Sequence, residues 1–133
     1  MLKNKFLISK DKQDIVEVVN SNGCEIWCEK EPMTEIVPNS TGAAEEKHIP
    51  KVTVEGNKVK VDVGSVKHPM EDAHSITWVQ ISTNQGIQRK CLKPGTDPVV
   101  EFALCDGEKL EETYAYCNLH GLWMIKAWYS LNT

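Results

Sequence analysis

The chain has no long hydrophobic run, no excess of positive charge and no regular array of cysteines. No stretch approaches the roughly 20 apolar residues that a membrane-spanning helix needs, and near the start only Phe6-Leu7-Ile8 interrupts the polar residues. We therefore expect neither a membrane segment nor a secretion signal. Fifteen Lys+Arg against nineteen Asp+Glu give a net charge of −4. This balance lacks the basic footprint typical of nucleic-acid binding.

Cysteine usage indicates a reducing compartment. The 133 residues contain five cysteines, an odd number without dense spacing, so free thiols or metal ligands are expected rather than a disulfide framework. We expect a cytoplasmic protein in which Cys91 and Cys105, in strand-like stretches, pack as small apolar residues.

Short alternating stretches dominate from about residue 48 onward. Around Gly56-Asn57 the segment Lys51–Gly64 alternates apolar and polar residues, which predicts a β-hairpin with one wet face. Five further stretches have strand composition and turn signals between them: Ile76–Ser82, Ile87–Leu92, Val99–Leu104, Thr113–Cys117 and Trp123–Tyr129. With no helical periodicity, this pattern predicts an all-β fold, an antiparallel β-sandwich.

The first forty residues have weaker strand signals than the rest of the chain. A weak strand is expected at Ile15–Val19, followed by a turn at Asn20–Gly23 and a second strand piece at Ile26-Trp27. Loop residues occupy Pro38–Gly42, which places a domain boundary near Asn39. We therefore expect a small β module over residues 1–38 and the sandwich over residues 39–133.

All four histidines stand beside turn or loop signals. Cys117 and His120 form a Cys-x-x-His pair, His68 and His74 form a His-x5-His pair, and His48 comes at the entry to the first sandwich strand. Imidazole nitrogen and thiolate sulfur suit iron, copper or zinc and disfavour magnesium or calcium. A structural zinc is satisfied by four ligands, so a fifth candidate is surplus for it.

Three segments together carry a family resemblance: Glu46-Lys47-His48-Ile49-Pro50, Gly64–Met70 with His74, and Cys117-Asn118-Leu119-His120-Gly121-Leu122-Trp123. In order and spacing they resemble the motifs of the superoxide reductases, the desulfoferrodoxin and neelaredoxin group, over the stretch from Thr41 to about Lys126. The resemblance implies an immunoglobulin-like sandwich with one iron ion at an exposed end. It implies four equatorial imidazoles, an axial thiolate and a sixth position open to superoxide, the ligands being His48, His68, His74, His120 and Cys117.

The same resemblance implies the reaction and its partners. Superoxide would be reduced by one electron to hydrogen peroxide, with the electron supplied by a rubredoxin-like donor, and the chain would form a homodimer. Lys47 would attract the superoxide anion, with Lys67 adding to the positive charge. Glu46 would be the carboxylate that occupies the sixth position of the resting ferric iron.

The N-terminal module departs from the family pattern. In two-iron members it resembles desulforedoxin and binds a second iron through four cysteines, but here Ser9 and Lys12 stand where the first pair would lie, and Cys28 is followed by Glu29. Cys24 adds only one further thiol. Two thiolates cannot supply four sulfurs, so we expect the module to fold without metal.

Two other functions fit part of the pattern. Cys117, His120 and Met124 resemble the copper loop of a cupredoxin-like electron-transfer protein, although such a site leaves two other histidines unexplained. A binding module whose cysteine and histidines hold a structural zinc is the other alternative.

Overall fold

A computed structural model of the chain describes residues 4–127. The chain divides into two compact units, Met1–Val37 and Pro38–Thr133. Among the described residues, no helix has both the length and the apolar character needed to cross a bilayer.

The first unit consists of short strands. They are β1 (Lys5–Ile8), β2 (Ile15–Val18), β3 (Trp27–Cys28), β4 (Glu31–Pro32) and β5 (Thr34–Glu35). One antiparallel sheet has the order β2-β1-β5, and β3 pairs with β4. β2 and β3 confirm the strand pieces expected from the sequence. β1 was not expected, yet its Phe6 and Leu7 are buried and supply the apolar centre of this unit.

Within its described residues, 38–127, the second unit contains one helical turn and seven strands. They are α1 (Glu45–His48), β6 (Pro50–Glu55), β7 (Lys58–Val63), β8 (Ile76–Thr83), β9 (Gly86–Cys91), β10 (Val99–Ala103), β11 (Leu110–Cys117) and β12 (Gly121–Lys126). Every expected strand of the sandwich is present. The expected end of the last strand, at Tyr129, lies outside the described residues. α1 was not predicted, because four residues are too few to show a helical period.

Two antiparallel sheets share one core. Their strand orders are β10-β7-β6 and β12-β11-β8-β9. Buried side chains from both sheets form a single cluster that includes Val59, Val61, Ile81, Phe102 and Ala115. This arrangement confirms the all-β, immunoglobulin-like β-sandwich.

The β6–β7 hairpin has the alternation that the sequence predicts. Val59, Val61 and Val63 are buried, whereas Lys58 and Lys60 are exposed. Burial of each valine side chain contributes about 1.5–3 kcal/mol. The strands are joined by a two-residue turn, since Glu55 pairs with Lys58, and this turn holds one face of the hairpin toward the core.

The expectation for two cysteines was wrong. Cys91 and Cys105 are both exposed free thiols. Cys91 is the last residue of β9, which is an edge strand, and Cys105 follows the end of β10. At such positions the chain leaves the sheet, so strand-like composition does not lead to burial.

Candidate metal centre

The four histidines and Cys117 come from chain segments that meet at one end of the sandwich. His48 closes α1, His68 follows the end of β7, and His74 lies two residues before β8. Cys117 is the last residue of β11, and His120 belongs to the three-residue loop that leads into β12. The antiparallel topology places these strand ends together, so five residues that are distant in sequence become neighbours.

The four imidazole rings form a square. Around its perimeter, in the order His48, His68, His74 and His120, the ring centroids are 4.6, 4.7, 5.0 and 4.9 Å apart. The diagonal from His48 to His74 is 6.5 Å, which exceeds the sides by roughly the factor expected of a square. Neighbouring rings are inclined at 74–89°. Four imidazoles at this spacing could surround a single ion.

Hydrogen bonds fix which ring nitrogens face the centre of the square. His48 Nδ1 lies 2.7 Å from the carbonyl oxygen of Ala44, and His68 Nδ1 lies 2.7 Å from that of Pro69. A carbonyl only accepts, so both Nδ1 atoms carry the proton and both neutral rings have a bare Nε2. These two Nε2 atoms are 3.1 Å apart. Two facing lone pairs repel each other unless a cation lies between them.

His120 and Cys117 complete the set. His120 Nδ1 is 3.2 Å from His48 Nε2 and 3.9 Å from Cys117 Sγ. The ligand atoms of His48, His74, Cys117 and His120 all lie within 4.8 Å of one another. The backbone N–H of His120 donates to Cys117 Sγ at 3.4 Å, a contact that favours the thiolate form.

Burial favours the neutral form of three imidazoles, those of His48, His68 and His74, as metal binding requires. It lowers the pKa of His68 to about 4, opposed by its hydrogen bond to Pro69. Burial also lowers the pKa of His48 and of His74, and electrostatic interactions with His120 and Lys47 lower both further. By contrast, burial raises the pKa of Cys117, against hydrogen bonds from the backbone of His120 and Leu119.

A metal ion would provide a partner for two buried atoms of this site, the Nε2 of His74 and the sulfur of Cys117. The Nε2 atom of His74 is buried and has no hydrogen-bond partner among the described residues, and a desolvated polar atom without a partner costs about 1–3 kcal/mol. A divalent cation would satisfy that nitrogen and would stabilise the buried thiolate of Cys117. Nitrogen and sulfur donors of this kind suit iron, so the residues fit a non-haem iron ion.

Lys47 and Glu46 are exposed residues of α1. The charge of Lys47 acts on the imidazoles, since it is among the causes that lower the pKa of His48 and of His74. The helical turn is anchored by the carbonyl oxygen of Glu46, which accepts the backbone N–H of Val66 at 2.7 Å. α1 therefore places Lys47 and Glu46 directly before His48 in the chain, with both residues exposed.

Lys67, which was expected to add to the positive charge, forms an exposed ion pair with Asp97. Its Nζ lies 2.5 Å from Asp97 Oδ1, so the ion pair offsets its charge. The residue responsible lies thirty positions away in sequence, and only the fold brings the two together.

Sequence analysis assigned Trp123 no role at the centre. Its ring stacks on His48, with centroids 4.9 Å apart and planes inclined at 25°, and its Nε1 donates to the carbonyl oxygen of His120 at 3.1 Å. Trp123 is therefore a positioning residue for two of the imidazoles. Its place in the Cys117–Trp123 segment was the available signal.

The geometry argues against both alternative functions. Met124 follows Trp123 in β12, and successive strand residues point to opposite faces, so Met124 faces away from the side on which Trp123 meets His48. It cannot complete a cupredoxin-like site. A structural zinc is satisfied by four ligands, whereas His68 Nε2, 3.1 Å from His48 Nε2, adds a fifth candidate to the cluster of His48, His74, Cys117 and His120.

Comparisons with known proteins agree with the geometry. The family model described as desulfoferrodoxin matches residues 40–126. A desulfoferrodoxin homologue of Archaeoglobus fulgidus is 43% identical over 110 residues, covering 83% of this chain and 86% of its own length. Desulfoferrodoxin of Clostridium acetobutylicum is 40% identical over 116 residues, covering 87% and 90%. The crystal structure of the superoxide reductase from Treponema pallidum has a TM-score of 0.79 at 38% identity, covering 94% of this chain and 100% of that one.

Proposed function

We propose that this chain, which belongs to the desulfoferrodoxin family, is a superoxide reductase with one mononuclear iron ion. The observation that carries the proposal is the square of four imidazoles with a buried thiol beside it. The reaction consumes one superoxide, one electron and two protons, and it yields hydrogen peroxide without dioxygen.

The residues that would hold the iron are the four imidazoles of His48, His68, His74 and His120 and the thiolate of Cys117. When bound, iron supplies the one-electron couple at which superoxide is reduced. The backbone N–H groups of Leu119 and His120 bond to Cys117 Sγ and so moderate how strongly the thiolate donates electron density. The carbonyl bonds of His48 and His68 fix their tautomers.

Lys47 and Glu46 are proposed to act on the substrate side. The chain carries a net charge of −4, which repels an anion, so a local positive charge is needed to attract superoxide. Lys47 provides it, because its charge already influences two of the imidazoles. Glu46, one residue earlier in the same turn, is proposed as the carboxylate that can take the sixth position of ferric iron.

We also propose roles for the two units. Residues 39–133 form the iron domain, and residues 1–38 form a desulforedoxin-like module without its metal site. In that module one cavity is lined by Cys28 together with a serine, lysines and carboxylates and no second cysteine: Ser9, Lys10, Asp11, Asp14, Glu29, Lys30 and Glu31. One thiol cannot form a four-sulfur iron site.

Three further proposals concern location and partners. We propose that the protein is cytoplasmic, that it receives its electron from a rubredoxin-like donor and that it forms a homodimer.

The central test is metal analysis combined with optical spectroscopy. We expect one iron per chain and a thiolate-to-ferric charge-transfer band that bleaches when superoxide is added, with peroxide formed. Cys117→Ser should abolish both the band and turnover. Cys105→Ser is the matched control, because that thiol is exposed and lies outside the centre. Turnover retained in Cys117→Ser, or copper in place of iron, would contradict the proposal.

The role of Lys47 has its own test. Lys47→Ala should slow the bimolecular reaction with superoxide and weaken its dependence on ionic strength. Lys109→Ala removes the same charge from the far end of β11, about 25 Å from Cys117 at 3.4 Å per residue. Equal rates for the two variants at low ionic strength would rule out local attraction by Lys47.

A further inference from the structure

His74 is held in the centre differently from the two most deeply buried imidazoles. His48 and His68 each donate their Nδ1–H to a backbone carbonyl, whereas no such ring bond anchors His74 among residues 4–127. The backbone N–H and carbonyl of His74 bond only within its own short segment, to Glu71. The position of this segment relative to the other ligands must therefore be set from outside it.

Asn118 makes the connection. Its Oδ1 accepts the backbone N–H of Ser75 at 3.0 Å, and its Nδ2 donates to the carbonyl oxygen of Ala73 at 3.1 Å. Its own backbone N–H donates to the carbonyl oxygen of Ser75 at 3.2 Å. Since an N–H requires an acceptor and a carbonyl a donor, the orientation of the side-chain amide is fixed. Both peptide groups flanking His74 are thus bonded to one side chain.

The bonds join His74 to two other ligands, because Asn118 belongs to the loop between Cys117 and His120. We infer that Asn118 is a positioning residue that sets the distance from His74 to the Cys117–His120 loop, and so places the fourth imidazole of the square. The inference rests on the metal centre proposed above. Metal–ligand distances tolerate a variation of only about 0.2 Å. A ligand segment must therefore be fixed in position, and the bonds of Asn118 to the peptide groups on either side of His74 fix this one.

The chain contains a matched control for this interaction. Asn84, just after the other end of β8, makes the same three bonds to the residues flanking Glu108. Its Nδ2 donates to the carbonyl of Gly107 at 3.1 Å, its Oδ1 accepts the N–H of Lys109 at 2.7 Å, and its own N–H donates to the Lys109 carbonyl at 3.1 Å. Asn84→Ala therefore removes the same two side-chain bonds far from the metal centre.

The experiment measures Co²⁺ binding to the metal-free full-length chain, by titration and by the sulfur-to-cobalt charge-transfer band. Removing a group that orients a ligand typically lowers metal affinity 10- to 100-fold, and we expect that loss for Asn118→Ala. Asn84→Ala should stay within about twofold of the wild type, although both variants should lose similar thermal stability. Asn118→Asp keeps the acceptor for Ser75 and loses the donor to Ala73, so its affinity should be intermediate.

A double-mutant cycle identifies the ligand through which Asn118 acts. In a His74→Ala background, Asn118→Ala should lower the Co²⁺ affinity less than about threefold further. An equal loss in both backgrounds, or an unchanged affinity in Asn118→Ala, would overturn the inference. If Asn118→Ala does not fold, an unchanged Co²⁺ affinity in Asn118→Asp would overturn the inference instead. A wild-type chain that binds Co²⁺ without a sulfur band would instead refute the proposed centre itself.

Discussion

Gly64 is the position at which one added methyl group should disrupt the metal centre most directly. A Cβ atom on Gly64 would lie 2.7 Å from the carbonyl oxygen of Glu46 and 2.8 Å from that of Ile49. Ordinary van der Waals contact begins at 3.4 Å. In Gly64→Ala the helical turn α1 must therefore retreat by about 0.7 Å, which is well beyond the roughly 0.2 Å tolerance of metal–ligand distances.

The displacement should lower metal affinity as well as stability. His48 closes α1 and moves with it, so we expect a Co²⁺ or Fe²⁺ affinity at least about 10-fold below that of the wild type. The overpacked contact should also cost about 1–3 kcal/mol of unfolding free energy. Metal titration and urea unfolding of the metal-free chain measure the two effects separately.

Gly56→Ala separates steric displacement from general destabilisation. Gly56 lies in the β6–β7 turn with φ +59 and has nothing within 4 Å of an added Cβ. Alanine there should cost about 1–2 kcal/mol through left-handed backbone strain and should leave metal affinity unchanged. If Gly64→Ala and Gly56→Ala bind metal equally well, the close approach at Gly64 does not position His48 and the reasoning fails.

Three further predictions concern electrostatics, pH and the N-terminal module. Asp97→Asn should release the charge of Lys67 and raise the rate constant for superoxide about two- to threefold at low ionic strength, with no gain in concentrated salt; a rate that is unchanged at low salt would contradict this. In the metal-free chain, burial lowers the folded-state pKa of His68 to about 4 from its ordinary value of 6.5, so the unfolded state binds more protons between these two pH values. Stability should be complete above pH 6.5 and fall by up to about 3 kcal/mol as the pH drops toward 4; His68→Gln should show a smaller loss in urea unfolding, and equal losses would refute the assignment. Ser9→Ala removes a buried hydroxyl that donates to Asp11 at 2.6 Å and should weaken hydrogen-exchange protection of β1 and β2 by about 1–2 kcal/mol. A chelator should leave that protection unchanged in the wild type, and loss of protection with chelator would indicate a metal in the module.

The strands could be predicted because they depend on local chemistry. Alternation around Gly56-Asn57 predicted the hairpin, and it forms with Val59, Val61 and Val63 buried. Elements without a repeating pattern were missed. α1 is a single turn, and β1 is a four-residue strand whose burial depends on neighbours that the local sequence does not identify.

The identities of the candidate ligands followed from the sequence, because nitrogen and sulfur donors are a property of residue type. Their arrangement did not. The nearly equal sides of the imidazole square, the facing Nε2 atoms of His48 and His68, and the bonds of Asn118 on either side of His74 join residues between 6 and 72 positions apart.

The sequence by itself determined the all-β class, the residue types of the metal centre and the family. The tertiary structure decided which charges act at that centre and which groups hold it in place. Lys67 is paired with Asp97, Lys47 acts on the imidazoles, and Gly64 leaves room for α1. The physical reason is that strand formation depends on neighbours two residues away, whereas coordination geometry and ion pairing depend on distances in space that exist only after both sheets have packed.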